Sequence, residues 1–224
     1  MTQTFYGLML IATLWFAGLW LGTRLRGRGC SRRVKLSCGV AAVLILFLPV
    51  SGVRLWSLAF SFCPNPSLPL LGMVCAGLWQ RLFGVVVFRP ADWRATWWFG
   101  AVVGSALYLH PMVFGSLDLY YWGWDRVGAA WGLAALAVFF LAGGNRLGVL
   151  LLAALIAFTL DALESANCWD YVIDPFYWMI GVGTTMGRGV RGAWTRWRMR
   201  QRGDSATPFP APATEAVPTA AIGG

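Results

Sequence analysis

Between Val127 and Leu160 the chain carries a single charged residue, Arg146, set in the tripeptide Gly144-Asn145-Arg146. Apolar runs at 127–143 and 147–163 flank it. Each is close to the length at which an α-helix crosses a hydrocarbon core of about 30 Å. Two such runs separated by three turn-forming residues predict a tight helical hairpin whose only charge is basic.

Composition extends the argument to the whole chain. Of 224 residues, 58% are hydrophobic and 12% are charged, against about 25% charged in an ordinary soluble domain. So little charge cannot cover a water-soluble globule. The same figures exclude a disordered chain, a collagen-like repeat and a disulfide-stapled secreted domain. The expected class is therefore all-α: a polytopic integral membrane helical bundle with about seven transmembrane helices. The net charge of +9 would suggest nucleic acid in a soluble protein. Here the basic residues lie beside apolar runs, so topology accounts for them first and no nucleic-acid partner is expected.

The spans are expected near 3–22, 36–53, 69–88, 95–112, 127–143, 147–163 and 175–194. Arg24, Arg26, Arg28, Arg32, Arg33 and Lys35 follow the first run, whereas Met1–Tyr6 carry no basic side chain. Positive flanks stay in the cytoplasm, which predicts N-out. Seven crossings then give C-in, on the side where Arg188, Arg191, Arg196, Arg198, Arg200 and Arg202 gather. The third run is the weakest, because it holds Gln80 and Arg81. An arginine near mid-membrane costs about 2.5–3.5 kcal/mol on insertion scales unless it snorkels or pairs, and a re-entrant segment is the competing reading. Cys63-Pro-Asn-Pro66 argues against a continuous helix between the second and third runs. Asp174-Pro175 reads as a helix start, with Asp as N-cap and Pro in the first turn. Residues 203–224, rich in Ala, Pro and Thr, are expected to be a disordered cytoplasmic tail. Lys35 is the single lysine among eighteen basic residues. That Arg and Ala bias points to a GC-rich bacterial genome, and so to a bacterial inner (cytoplasmic) membrane.

In this threading six carboxylates face outwards together with Tyr and Trp. The candidate outer-face binding residues are His110, Asp118, Tyr120, Tyr121, Trp122, Trp124, Asp125, Asp161, Glu164, Trp169, Asp170 and Asp174. Such a surface suits a sugar, a lipid headgroup or a cationic partner held by cation–π and charge contacts. The plainer reading is an interfacial aromatic belt with acids left outside by topology. Asp161 and Glu164, three apart, would share one helix face. They would form an acid/base pair there, bind a cation, or pair with Arg126 or Arg54 across the outer rim. His110, the only histidine, excludes sites built on several histidines. It is left as a proton carrier or an interfacial hydrogen-bonding group.

No Cys-x-x-Cys pair occurs among the five cysteines, so zinc-ribbon and thioredoxin chemistry lose their usual signal. No metal and no cofactor are expected. Cys63 and Cys168 fall on the oxidising side and form a candidate disulfide, with two free thiols as the alternative. Arg188, Arg191, Trp194, Arg196, Trp197 and Arg198 make a candidate contact with anionic inner-leaflet lipid.

Absence of a phosphate-cradling loop, a Gly-x-Ser-x-Gly elbow or a metal triad leaves no residue assigned a catalytic role. The expected function is a non-enzymatic inner-membrane subunit or accessory protein. It would bind membrane lipids and dock another membrane protein through its helices and its aromatic, acidic rim. A small transporter or channel would instead place Arg81, His110 and Asp161 around a cavity. An enzyme acting on a lipid-linked substrate at the outer face would bring His110, Asp118, Asp161 and Glu164 to one pocket.

Overall fold

The computed structural model describes residues 2–26, 31–50, 52–62, 65–114 and 118–204. Side chains at 2–6, 8, 24–26, 59, 60, 62, 110–114, 200 and 202–204 lie outside that description. The tail from 205, like Cys63, also lies outside it. The chain divides into two units, Met1–Thr185 and Met186–Gly224.

The protein is mostly helical, in keeping with the all-α class. In chain order the helices are α1 (Thr2–Arg26), α2 (Arg32–Phe47), α3 (Leu55–Phe62), α4 (Leu68–Phe83), α5 (Pro90–Phe114), α6 (Arg126–Ala142), α7 (Leu147–Thr159), α8 (Cys168–Val172) and α9 (Pro175–Asp204). Among the described residues no helix is both long and apolar enough to cross a membrane. α6 has 17 residues and α7 has 13, about 26 Å and 20 Å of rise. α5 reaches 25 residues, but it opens on Asp92 and Arg94 and carries Thr96 and Ser105 further in.

Local chemistry sets the ends. Ser31 caps α2, its hydroxyl accepting from the Val34 amide. The run expected at 36–53 stops at Phe47, because Pro49 disfavours helical geometry at Leu48. A short hairpin follows, β1 (Pro49–Val50) pairing antiparallel with β2 (Val53–Arg54). α3 follows and ends before Cys63-Pro64, so no single helix joins the second and third runs. The third run is one helix, α4, with Ser67 at its N-cap position and Pro69 in its first turn, closed by Gly84 in the left-handed conformation (φ 77°), a common helix stop. The run expected at 147–163 ends at Thr159, and Asp161 adopts a left-handed φ of 47° in the turn beyond. Asp161 and Glu164 therefore share no helix face, which corrects the expected pair.

Hydrophobic burial holds the first unit together. α1 packs on α2 and α4, α4 on α7, and α7 on α6 and α8. Met73, Leu147, Leu151, Ala154, Phe158, Tyr171, Val172 and Tyr177 are sealed in the shared core. α5 and the start of α9 approach closely because glycine leaves room. A Cβ on Gly181 would lie 2.8 Å from the Ala101 amide nitrogen. The Tyr177 hydroxyl seals this contact by donating to the Thr96 carbonyl at 2.6 Å.

Polar contacts define two opposite ends of this unit. At one, the Arg81 guanidinium donates to Thr23 Oγ1 and the Lys35 ammonium to the Leu82 carbonyl. Arg89 donates to the Gly144 carbonyl at the same end. At the other, the 118–126 loop meets the 161–174 segment. Basic residues dominate the first end and carboxylates the second. One residue of the minority charge is paired at each end, Asp92 with Arg89 at 3.4 Å and Arg126 with Asp161 at 2.7 Å. Arg54, beyond the far end of α2, is a further cation on the acidic side.

Candidate functional site

The acidic end is built on a hydrogen-bonded knot. Asn167 is fully buried and serves two segments. Its Oδ1 accepts from the Trp169 amide, capping α8, and its Nδ2 donates to the Tyr120 carbonyl at 3.1 Å. The Tyr120 hydroxyl donates to Asp170 Oδ1 at 2.7 Å, the Ser165 hydroxyl donates to Asp170 Oδ2, and the Trp169 indole donates to the Leu119 carbonyl. Gly123 lies directly beneath Asn167, where a Cβ would fall 1.9 Å from Asn167 Oδ1. Burial pushes the Tyr120 phenol well above its usual range, and the neighbouring Asp170 carboxylate pushes it the same way. It therefore stays a donor.

Other rim carboxylates are also committed. Asp118 Oδ1 accepts from the Tyr120 and Tyr121 amides, fixing the turn. Asp161 takes the Arg126 guanidinium, which also lies over the Phe158 ring, 5.3 Å from its centroid. Asp174, only 2% exposed, caps α9 through Oδ1, which accepts from the Tyr177 amide. Its Oδ2 accepts both the amide and the hydroxyl of Ser67 at the start of α4, at 2.7 and 2.6 Å. Glu164 is exposed. The side chain of His110 lies outside the described residues, so its place in the rim does too.

Between α5 and α6 an apolar cleft of about 950 Å³ opens towards this end. Val103, Ala106 and Leu107 of α5 face Ala129 and Leu133 of α6 across it. Tyr121, Trp122 and Trp124 stand at the mouth with Asp125, all four exposed. Asp125 caps α6 with its backbone, yet its carboxylate makes no cap hydrogen bond. Of the residues singled out in the sequence, Tyr121, Trp122, Trp124, Asp125 and Trp169 thus come together around the cleft. Asp118, Tyr120, Asp161, Asp170 and Asp174 are drawn instead into internal contacts. A second, smaller cavity of about 450 Å³ lies beside Cys75, Trp79, Phe88 and Arg146. Neither cavity is lined by Arg81 or Asp161, so the transporter arrangement is not assembled in them. Asp118, Asp161 and Glu164 line neither cavity as well. Among the described residues no three His, Cys, Asp or Glu side chains are placed to hold a metal.

Cys168 is a free, buried thiol, pushed up to about 12 by burial. Its expected partner Cys63 lies outside the described residues. In the second unit Arg188, Arg191, Arg196 and Arg198 are exposed on α9. Trp194 and Trp197 pack together at 4.8 Å between ring centroids, with Arg198 over Trp194 at 5.0 Å.

One polar centre escaped the sequence reading. Asp92 is fully buried at the basic end. Its Oδ2 accepts from the Arg89 amide and guanidinium, and its Oδ1 from the Arg146 amide in the α6–α7 turn. Burial alone would raise its pKa, but these donors outweigh it and hold the carboxyl below its ordinary value. The signal was present in Arg89-Pro90-Ala91-Asp92: an acid at the third helical position reaches back to the amide before the helix, half of a capping box.

Compared with known protein families, with curated proteins and with solved structures, the chain has no match.

Proposed function

We propose that this chain is a multi-pass protein of a bacterial inner membrane and a non-enzymatic subunit or accessory factor. In this reading it docks a membrane partner through its helices and its aromatic end. The observation that carries the reading is the division of charge: cations gather at one end of the bundle, carboxylates at the other. Apolar side chains lie open on the flanks between them. Leu36, Val40 and Leu44 form an exposed stripe on α2, as do Trp131, Val138 and Phe139 on α6 and Val149, Leu152 and Ile156 on α7. A helix that is apolar on both faces belongs in a protein core or a bilayer.

Among the described residues the seven longest helices each overlap one of the seven expected segments, which supports this reading. The short rise of α6 and α7 is then a mismatch met by local bilayer thinning and by snorkelling of the residues at their ends. Commitment of Asp118, Asp161, Asp170 and Asp174 to internal partners favours a structural rim over a catalytic one. Reporter fusions after residues 30, 62, 90, 118 and 166 test the threading, and purification of a tagged chain in mild detergent tests the partner. Inside signals at 30 and 90, outside signals at 62, 118 and 166, and a stoichiometric copurifying protein are expected. An inside signal at 118 overturns the orientation, and release of the chain from membranes by alkaline carbonate overturns the membrane reading.

A further inference from the structure

We infer that the α5/α6 cleft binds an amphiphile with an ammonium head, its alkyl chain between the helices and its head at Asp125. The walls carry no charged group: Val103, Ala106 and Leu107 oppose Ala129 and Leu133. The volume of about 950 Å³ lies at the upper end of the ~300–1,000 Å³ common to small-molecule sites. The mouth supplies what an alkyl chain alone would not need. Asp125 holds a carboxylate without a cap hydrogen bond. The adjacent cation, Arg126, is turned to Asp161 and Phe158. Negative charge at the mouth is therefore not neutralised by its nearest cation in sequence. Tyr121, Trp122 and Trp124 stand exposed beside it, and aromatic faces with a carboxylate are the recognised chemistry for substituted ammonium groups. An anionic headgroup would meet like charge in the same place.

The inference rests on the membrane reading and is tested separately from it. Full-length chain extracted in a mild non-ionic detergent is mixed with phosphatidylethanolamine or phosphatidylglycerol of identical acyl chains, and bound lipid is counted by native mass spectrometry. Both lipids carry the phosphate, so the comparison isolates the ammonium. Phosphatidylethanolamine is expected to bind about tenfold more tightly, the worth of one charge-assisted hydrogen bond. Asp125→Asn should bring the ratio close to one. Gly132 lines the cleft, and a Cβ built there meets nothing within 4 Å. Gly132→Leu should therefore fold, favoured by helix propensity, and lose both lipids. Equal binding of the two lipids, a ratio unmoved by Asp125→Asn, or full binding by a folded Gly132→Leu overturns the proposal. So does a copurifying protein displaced by Gly132→Leu in the absence of bound lipid, which would assign the cleft to a partner helix. Carbonate release of the chain would instead overturn the membrane reading.

Discussion

Replacing Asp174 by alanine tests how the acidic end is fastened. The carboxylate accepts three hydrogen bonds, from the Tyr177 amide at 2.8 Å and from the Ser67 amide and hydroxyl at 2.7 and 2.6 Å. Loss of the helix cap costs about 1 kcal/mol. Ser67 is fully buried, so its amide loses a partner without gaining water, at about 1–3 kcal/mol. With about 1 kcal/mol more for the Ser67 hydroxyl bond, the sum is about 3–5 kcal/mol, or about 6–20 °C in melting temperature for a chain of this size. Ser67→Ala removes only the hydroxyl and should cost about 1 kcal/mol. Because both changes delete the same bond, the double variant should cost less than the sum of the two. Thermal unfolding of the detergent-solubilised chain, followed by circular dichroism at 222 nm, gives all three values. A shift below 2 °C for Asp174→Ala, or strict additivity with Ser67→Ala, refutes the argument that this contact ties α4 to α9.

Three further outcomes follow from other contacts. Asp92, held below its ordinary pKa, contributes stability that is present above the unfolded aspartate pKa of about 3.9 and lost as pH falls through the folded value; Asp92→Asn should destabilise at pH 7 and flatten the acid limb of a melting-temperature profile. Gly123→Ala should cost about 1–3 kcal/mol by forcing Asn167 off the Tyr120 carbonyl, seen as a lower melting temperature. Cys168, buried with its thiol pushed up to about 12, should react with a maleimide at pH 8 only after unfolding; mass spectrometry of the tryptic peptides reads this directly.

Much of the architecture was legible because apolar run length and proline placement are local. Asp174-Pro175 could be read as a helix start, and Asp174 Oδ1 accepts from Tyr177 at the expected position. Gly144-Asn145-Arg146 turned the chain as expected, with Gly144 at φ 63°. The errors also have local causes. Pro49 ends α2 early, and the left-handed turn at Asp161 separates it from Glu164. Hydropathy averages over both features.

For the candidate site, residue types and linear neighbourhood showed that carboxylates, indoles and phenols share one end of the chain's helices. Which of them are spent on folding was decided by contacts across 35 to 107 positions: Arg126 with Asp161, Tyr120 with Asp170, Ser67 with Asp174. A side chain's availability depends on whether a distant donor reaches it, and no local pattern encodes that distance. By itself the sequence determined a helical, charge-poor chain with its acids and bases apart. Tertiary packing alone decided that Asp170 and Asp174 are fasteners and that Asp125 stands at the mouth of an open cleft.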